Sequence, residues 1–207
     1  MARIVNEPYQ KDFCESMAIE EIICQTYPVS AESISLLKEK LHVATFKKKE
    51  VIIEEGVRDR NFYFLNKGIL RCFHATDERE KTLWFATSGD IFRSMRSYFE
   101  NEPAVFTVEA LTSARLYYVE HDDLEELCSH LLDFSNWART LVFEELNCLE
   151  WKYERLGDGD IYAKYKAFLS MRSPEFIMQI PQKYIASYLG CTPSTLSRIR
   201  YKLLNEQ

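Results

Sequence analysis

The sequence predicts an α+β fold in three parts: an N-terminal antiparallel β jelly roll with flanking helices, a long dimerisation helix, and a C-terminal winged helix-turn-helix. Three observations carry this. Short β-rich runs separated by turn residues fill the chain from Glu50 to Val119, the pattern of a sandwich or roll rather than of a parallel sheet. Phe134 to Leu156 has helical apolar spacing and neither glycine nor proline. From Ile180 to Leu204 two short amphipathic helices are joined by a glycine and a capped proline. The expected domains are 1–133, 134–156 and 157–207.

Taken in order, residues from about Tyr9 to Tyr27 read as a helix with Phe13, Met17, Ile19, Ile22 and Ile23 in its apolar stripe, ended by Pro28. Ser30 is placed to cap a second helix carrying Ile34, Leu36, Leu37 and Leu41. The texture changes at His42. The strand runs are Glu50–Glu54, Asn61–Leu65, Ile69–His74, Lys81–Ala86, Ala104–Ala110 and Ala114–Val119. Turn signals at Gly56, Asn66-Lys67-Gly68, Thr76-Asp77-Glu78 and Ser88-Gly89-Asp90 punctuate them. Alternation puts Phe62 with Phe64, Leu70 with Cys72, Leu83 with Phe85, and Phe106 with Val108 on shared faces.

A helix starts at Asp122 or Asp123 and runs through Leu127 and Leu131. The long helix follows. Trp137, Leu141, Cys148 and Trp151 form one stripe; Ala138, Val142, Leu149 and Leu156 form its neighbour. Two apolar stripes exceed what one packing surface needs. One is expected on the roll and the other, assigned to Trp137, Leu141, Cys148 and Trp151, in a homodimer seam. Gly157-Asp158-Gly159-Asp160 is expected to be the hinge, Ile161–Met171 a helix, and Glu175–Ile180 a short strand of the wing.

The tail is argued from sterics. Ile185 and Leu189 lie one turn apart, and Ala186 is small enough for a second helix to cross closely. Gly190 suits a left-handed turn, Thr192 an N-cap and Pro193 the first helical position. Leu196, Ile199 and Leu203 then face inward. Ser194, Thr195, Arg198, Tyr201 and Lys202 fall on the opposite side, a face with cations and no carboxylate that can address double-stranded DNA. Arg200 falls near the apolar flank. An ordinary helical hairpin with a solvated outer face is the plainer reading, but cap, glycine, proline and apolar positions all agree in register.

Composition sets further bounds. The chain has 207 residues and a net charge of −6, which suits a soluble protein and at first sight not a DNA binder. The charge is uneven, however: from Gly157 onward seven basic residues face four acidic ones, and the local field governs binding within a Debye length. No apolar run is long enough for a membrane span and no signal-peptide pattern opens the chain, so a cytoplasmic location is expected. The six cysteines lack C-x-x-C pairing and read as reduced apolar residues. Cys72-x-His74 could be a haem or metal pair, but no third ligand accompanies it, and His42, His121 and His130 make no cupin-type set. No metal or cofactor is expected. No nucleophile elbow or phosphate loop is present, which argues against an enzyme.

The order of strand-rich roll, long helix, hinge and helix-turn-helix resembles the Crp/Fnr family of bacterial transcription regulators across nearly the whole chain, most specifically over Ile180–Arg200. Glu55-Gly56, Lys67-Gly68 and Gly89-Asp90 look like its roll-turn glycines. The resemblance implies a cyclic-nucleotide-binding-like sensor domain, a homodimer, and RNA polymerase as a candidate partner. It places Arg198 at a base-reading position, Ser194 where many members carry a glutamate, Thr192 and Thr195 on the DNA backbone, and Gln182 and Lys183 at the mouth of the first helix. The sequence departs from the family's cyclic-nucleotide pattern. Arg93-Ser94 follows Gly89-Asp90-Ile-Phe, and Ala104-Val105 stands where the phosphate-neutralising arginine pair would be. A buried phosphate without a cation is costly, so cyclic AMP is not expected to bind in the family's usual way. Arg93, Ser94 and Arg96 could hold another anionic effector, with Phe62, Phe64, Phe85 and Phe106 lining the pocket; alternatively both arginines are solvated loop residues and the aromatics are core. A small-molecule, redox or haem sensor whose DNA binding is conditional on an unknown effector remains the alternative function.

Overall fold

The structure, a computed structural model, describes residues 16–76, 79–156 and 159–205. Two compact units divide at Glu144/Glu145, inside the long helix rather than at either end of it.

The first unit holds two four-stranded antiparallel sheets. β1 (His42–Phe46), β8 (Ala114–Val119), β3 (Phe62–Lys67) and β6 (Ile91–Phe92) form one, and β2 (Val51–Ile53), β7 (Thr107–Ala110), β4 (Ile69–Ala75) and β5 (Glu80–Thr87) the other. Because strand side chains alternate, each strand serves two environments. On β3, Tyr63 and Leu65 join Leu70, Cys72, Ala86, Val108 and Leu116 in the core between the sheets. Phe62 and Phe64 point the other way, into a second core made with α1 (Ile19–Thr26), α2 (Ala31–Lys40), α4 (His121–His130) and the start of α5 (Leu132–Leu156). Gly68 permits the β3–β4 hairpin. Its φ is +112°, and a Cβ there would lie 2.7 Å from the Ser113 carbonyl and 2.9 Å from Ala114 Cα.

Several expectations are corrected. The first helix begins at Ile19, so Met17 precedes it; Phe13 and the rest of the expected first turns up to Glu15 lie outside the described residues. Leu36 is exposed and Leu41 is the C-cap of α2, leaving Ile34 and Leu37 as its buried apolar positions. β1 and the two-residue β6 carry too little alternation to be read from sequence, and α3 (Met95–Glu100), capped by Ser94, was not anticipated. Leu83 and Phe85 do not share a face. A bulge opposite Cys72/Phe73 breaks the register, so Leu83 packs with the inner core while Phe85 pairs with Arg71.

In the second unit the expected wing strand is absent: Pro174–Gln179 is a helix, α7. Ser173 accepts from Phe176 N–H and Pro174 takes the first helical position, an N-terminal signature that outweighs the apolar run Phe176-Ile177-Met178. With α6 (Ile161–Ser170), α8 (Gln182–Leu189) and α9 (Pro193–Leu204), the described part of this unit beyond α5 is helical apart from an isolated β-bridge at Arg172. Gly157 and Asp158 of the expected hinge lie outside the described residues.

Candidate functional site

The α8–α9 pair is built as its residues require. Gly190 ends α8 in the left-handed region, φ +74°, and Cys191 N–H donates to the Ala186 carbonyl at 2.9 Å. Thr192 Oγ1 caps α9 by accepting from Thr195 N–H at 3.2 Å, with the Ser194 and Thr195 hydroxyls at 2.9 and 3.0 Å. Ile185, Ala186, Leu189 and Leu196 are buried, fixing the roll angle of α9. Burial raises the Cys191 thiol above its ordinary range, consistent with a packing residue in the turn.

With α9 anchored on that side, Ser194, Arg198, Tyr201 and Lys202 are exposed and Thr195 partly so. Gln182 and Lys183, at the start of α8, and Thr192 are exposed too. Lys183 Nζ lies 4.7 Å from the Tyr184 ring centroid, and Lys202 Nζ 4.9 Å from that of Tyr162 on α6. Arg200, expected near the apolar flank, is exposed. The side chains singled out for the tail are therefore exposed or partly exposed hydroxyl, amide and cationic groups.

The expected effector residues are brought together only in part: Phe62 lies against Phe64 and beneath Arg93, and the rest are dispersed. Phe62 and Phe64 lie in the helix-side core, Phe106 packs on the inter-sheet core, and Phe85 sits opposite Arg71. Ser94 caps α3 by accepting from Ser97 N–H. Arg96 is exposed, 3.8 Å from Glu100 one turn on. Arg93, by contrast, is 6% exposed, with its guanidinium carbon 4.9 Å from the Phe62 ring centroid. Aromatic rings pack inside the roll. Tyr63 stacks on Phe92 at 5.1 Å, and Trp84 packs against Phe92 and Phe106. Ala104 is buried and Val105 exposed at the position noted for the missing arginine.

Trp137 and Leu141, assigned to a subunit seam, are 0% and 7% exposed and belong to the monomer's own core. Cys148 and Trp151 are half-buried. The exposed large apolar residues of α5, among those described, are Leu132, Val142, Phe143, Leu146, Leu149 and Tyr153. Val142, Leu146, Leu149 and Tyr153 repeat at four, three and four residues, a seam spacing. Val142 and Leu149 were visible in the neighbouring stripe; which stripe the roll covers is a tertiary matter.

Cys24, Cys72, Cys128, Cys148 and Cys191 are free thiols, and Cys14 lies outside the described residues. Burial, then the Glu125 charge, pushes Cys128 up to about 12, leaving it a poor nucleophile. Cys72 is enclosed in the roll, whereas His74 is half-exposed with Nδ1 2.7 Å from Glu55 Oε1. Among the described residues, no cluster of three histidine, cysteine or carboxylate side chains could hold a metal ion, and no helix is long and apolar enough to cross a membrane.

Residues 43–130 match the sequence model of the cyclic nucleotide-binding domain. No curated protein sequence matches the chain. Among solved structures it is similar to FixK2 from Bradyrhizobium japonicum, with 20% identity, TM-score 0.66, 80% of this chain and 85% of that one covered. It is also similar to the c-di-GMP responsive global regulator CLP of Xanthomonas campestris, with 18% identity, TM-score 0.64 and coverage of 86% and 93%. A CooA mutant from Carboxydothermus hydrogenoformans gives 16% identity, TM-score 0.68 and coverage of 94% and 87%.

Proposed function

We propose that this chain, whose residues 43–130 match the cyclic nucleotide-binding domain and whose fold is similar to those of FixK2, CLP and CooA, is a homodimeric, sequence-specific DNA-binding transcription regulator of the Crp/Fnr type that does not depend on cyclic AMP. The observation that carries the DNA reading is the outward face of α9. Leu196 is sealed beneath the helix while Ser194, Arg198, Tyr201 and Lys202 stand in solvent. A helix with short hydroxyls at its start and an arginine one turn on can enter a major groove, where a bidentate arginine–guanine pair contributes about 1–3 kcal/mol of discrimination. Two copies joined along α5 through Val142, Leu146, Leu149 and Tyr153 would address half-sites about 34 Å apart.

Independence from cyclic AMP is supported by the aromatic and aliphatic side chains packed inside the roll and by Ala104 and Val105, neither of which can neutralise a phosphate. RNA polymerase would be the partner of a regulator acting at promoters.

Selection of duplexes from a randomised pool by the purified chain tests the reading. Enrichment of a two-fold-related sequence, unchanged by cyclic AMP, is expected. Recovery of unenriched sequence would overturn the sequence-specific assignment, and a micromolar calorimetric isotherm with cyclic AMP would overturn the independence.

A further inference from the structure

On the helix side of the roll, β3, α3, α4 and the first half of α5 enclose a cleft of about 270 Å³. It lies wholly within the first unit and across β3 from the roll interior, since Phe62 lines it while Tyr63 faces inward. Its apolar walls include the rings of Phe62, Tyr98, Phe99 and Trp137. Its charges are two guanidiniums, Arg93 and Arg139, and one carboxylate, Glu125. That carboxylate is engaged, accepting from the Tyr98 hydroxyl at 3.0 Å. Arg93 is buried against the walls, its guanidinium carbon 4.9 Å from the Phe62 centroid and 5.8 Å from that of Phe99. Arg139 is exposed at the rim, with Nη2 3.2 Å from Asn136 Oδ1.

A cationic, aromatic cleft favours a flat apolar body carrying negative charge. The volume is just under the roughly 300–1,000 Å³ of drug-sized ligand pockets, which favours a small acid over a nucleotide.

We propose that this cleft is a binding site for a small aromatic carboxylate, held between the Phe62, Phe99 and Trp137 rings with its acid group toward Arg93 and Arg139. Any effect on DNA binding rests on the function proposed above: α5 supplies Trp137, Arg139 and Val142 to the cleft, and Val142 also begins the exposed stripe assigned to subunit pairing.

Calorimetric titration of the full chain with phenylacetate and indole-3-acetate, beside their neutral amides, tests the site. Saturable binding of at least one acid, one per chain, is expected. The matching amide should bind at least about tenfold more weakly, a difference of about 1.4 kcal/mol. Arg139→Gln should remove most of that preference without changing the melting temperature. Ala138→Leu, which fills the cleft, should abolish binding of acid and amide alike. Failure of both acids to saturate at millimolar concentration overturns the site, equal binding of acid and amide overturns the ligand class, and undiminished binding by Ala138→Leu overturns the location. Arg198→Ala should bind the acids as the unmodified chain does, so loss of the DNA reading and loss of the cleft give separate signals.

Discussion

Arg71 and Glu109 form a cross-strand ion pair beneath the outer surface of the roll. The Arg71 guanidinium, 1% exposed, donates to Glu109 Oε1 at 3.0 Å and to Glu80 Oε2 at 2.7 Å. Its Nε donates to Thr82 Oγ1 at 2.9 Å, and it lies over the Phe73 ring. The two carboxylates are not equivalent, because Glu109 is 14% exposed and Glu80 51%. Glu109→Ala should therefore destabilise the fold by about 2–3 kcal/mol. This is less than the roughly 3–5 kcal/mol of a wholly broken buried pair, because Glu80 still partners the charge. Glu80→Ala should cost about 1 kcal/mol or less. Urea denaturation of both variants checks the order.

Asp133 ties the start of α5 to the start of α2. Its carboxylate accepts from Ser30 N–H and the Ser33 hydroxyl, each at 3.0 Å, and from Phe134 N–H at 2.9 Å. Partial burial alone would raise this carboxyl, but those hydrogen bonds outweigh it and hold it below its ordinary value. A carboxyl lowered by folding contributes stability above its unfolded pKa of about 3.9 and loses it as pH falls through the folded value. Asp133→Ala should cost about 1–2 kcal/mol near neutral pH. The gap between variant and unmodified chain should be flat from about pH 5 to 7 and narrow below about pH 4, as read by denaturation at each pH.

Two glycines separate steric from conformational cost. Gly190→Ala places its methyl in open space, so only the left-handed backbone opposes it, at about 1–2 kcal/mol. Gly68→Ala meets the same difficulty and also the Ser113 and Ala114 backbone within 3 Å. It should be the costlier by about 1 kcal/mol or more. Melting temperatures of the two variants test the ranking.

The long helix makes opposite demands on its apolar residues. Leu146→Glu puts a charge on an exposed position, so the fold should survive and the proposed dimer dissociate, giving a monomer by sedimentation. Trp137→Ala removes a buried ring and should cost about 3–5 kcal/mol of stability while leaving the subunit seam intact. A monomeric Trp137→Ala that keeps full stability would reverse this assignment.

Arg198 and Lys183 should fail differently on DNA. Arg198→Ala is expected to relax base preference at one position in each half-site. Lys183→Ala should weaken all sequences alike and reduce the salt slope by about one. Identical behaviour of the two variants in a binding selection would refute these roles.

The sequence by itself determined the elements whose signals are local. Thr192, Pro193 and Gly190 set the ends of α8 and α9 by backbone geometry and capping, and alternation separated Phe62 from Tyr63 on β3. Local signals also mark limits. Ser173-Pro174 names a helix start as clearly as Thr192-Pro193 does, yet the apolar run after it reads equally as a strand at that length. Only the tertiary structure decided which apolar stripe of α5 is covered, because Leu141 and Val142 are both apolar and only the roll's position distinguishes them. The bulge that turns Phe85 away from Leu83, and the folding of Arg93 against Phe62, are likewise set by contacts between segments far apart in the chain, which no local spacing encodes.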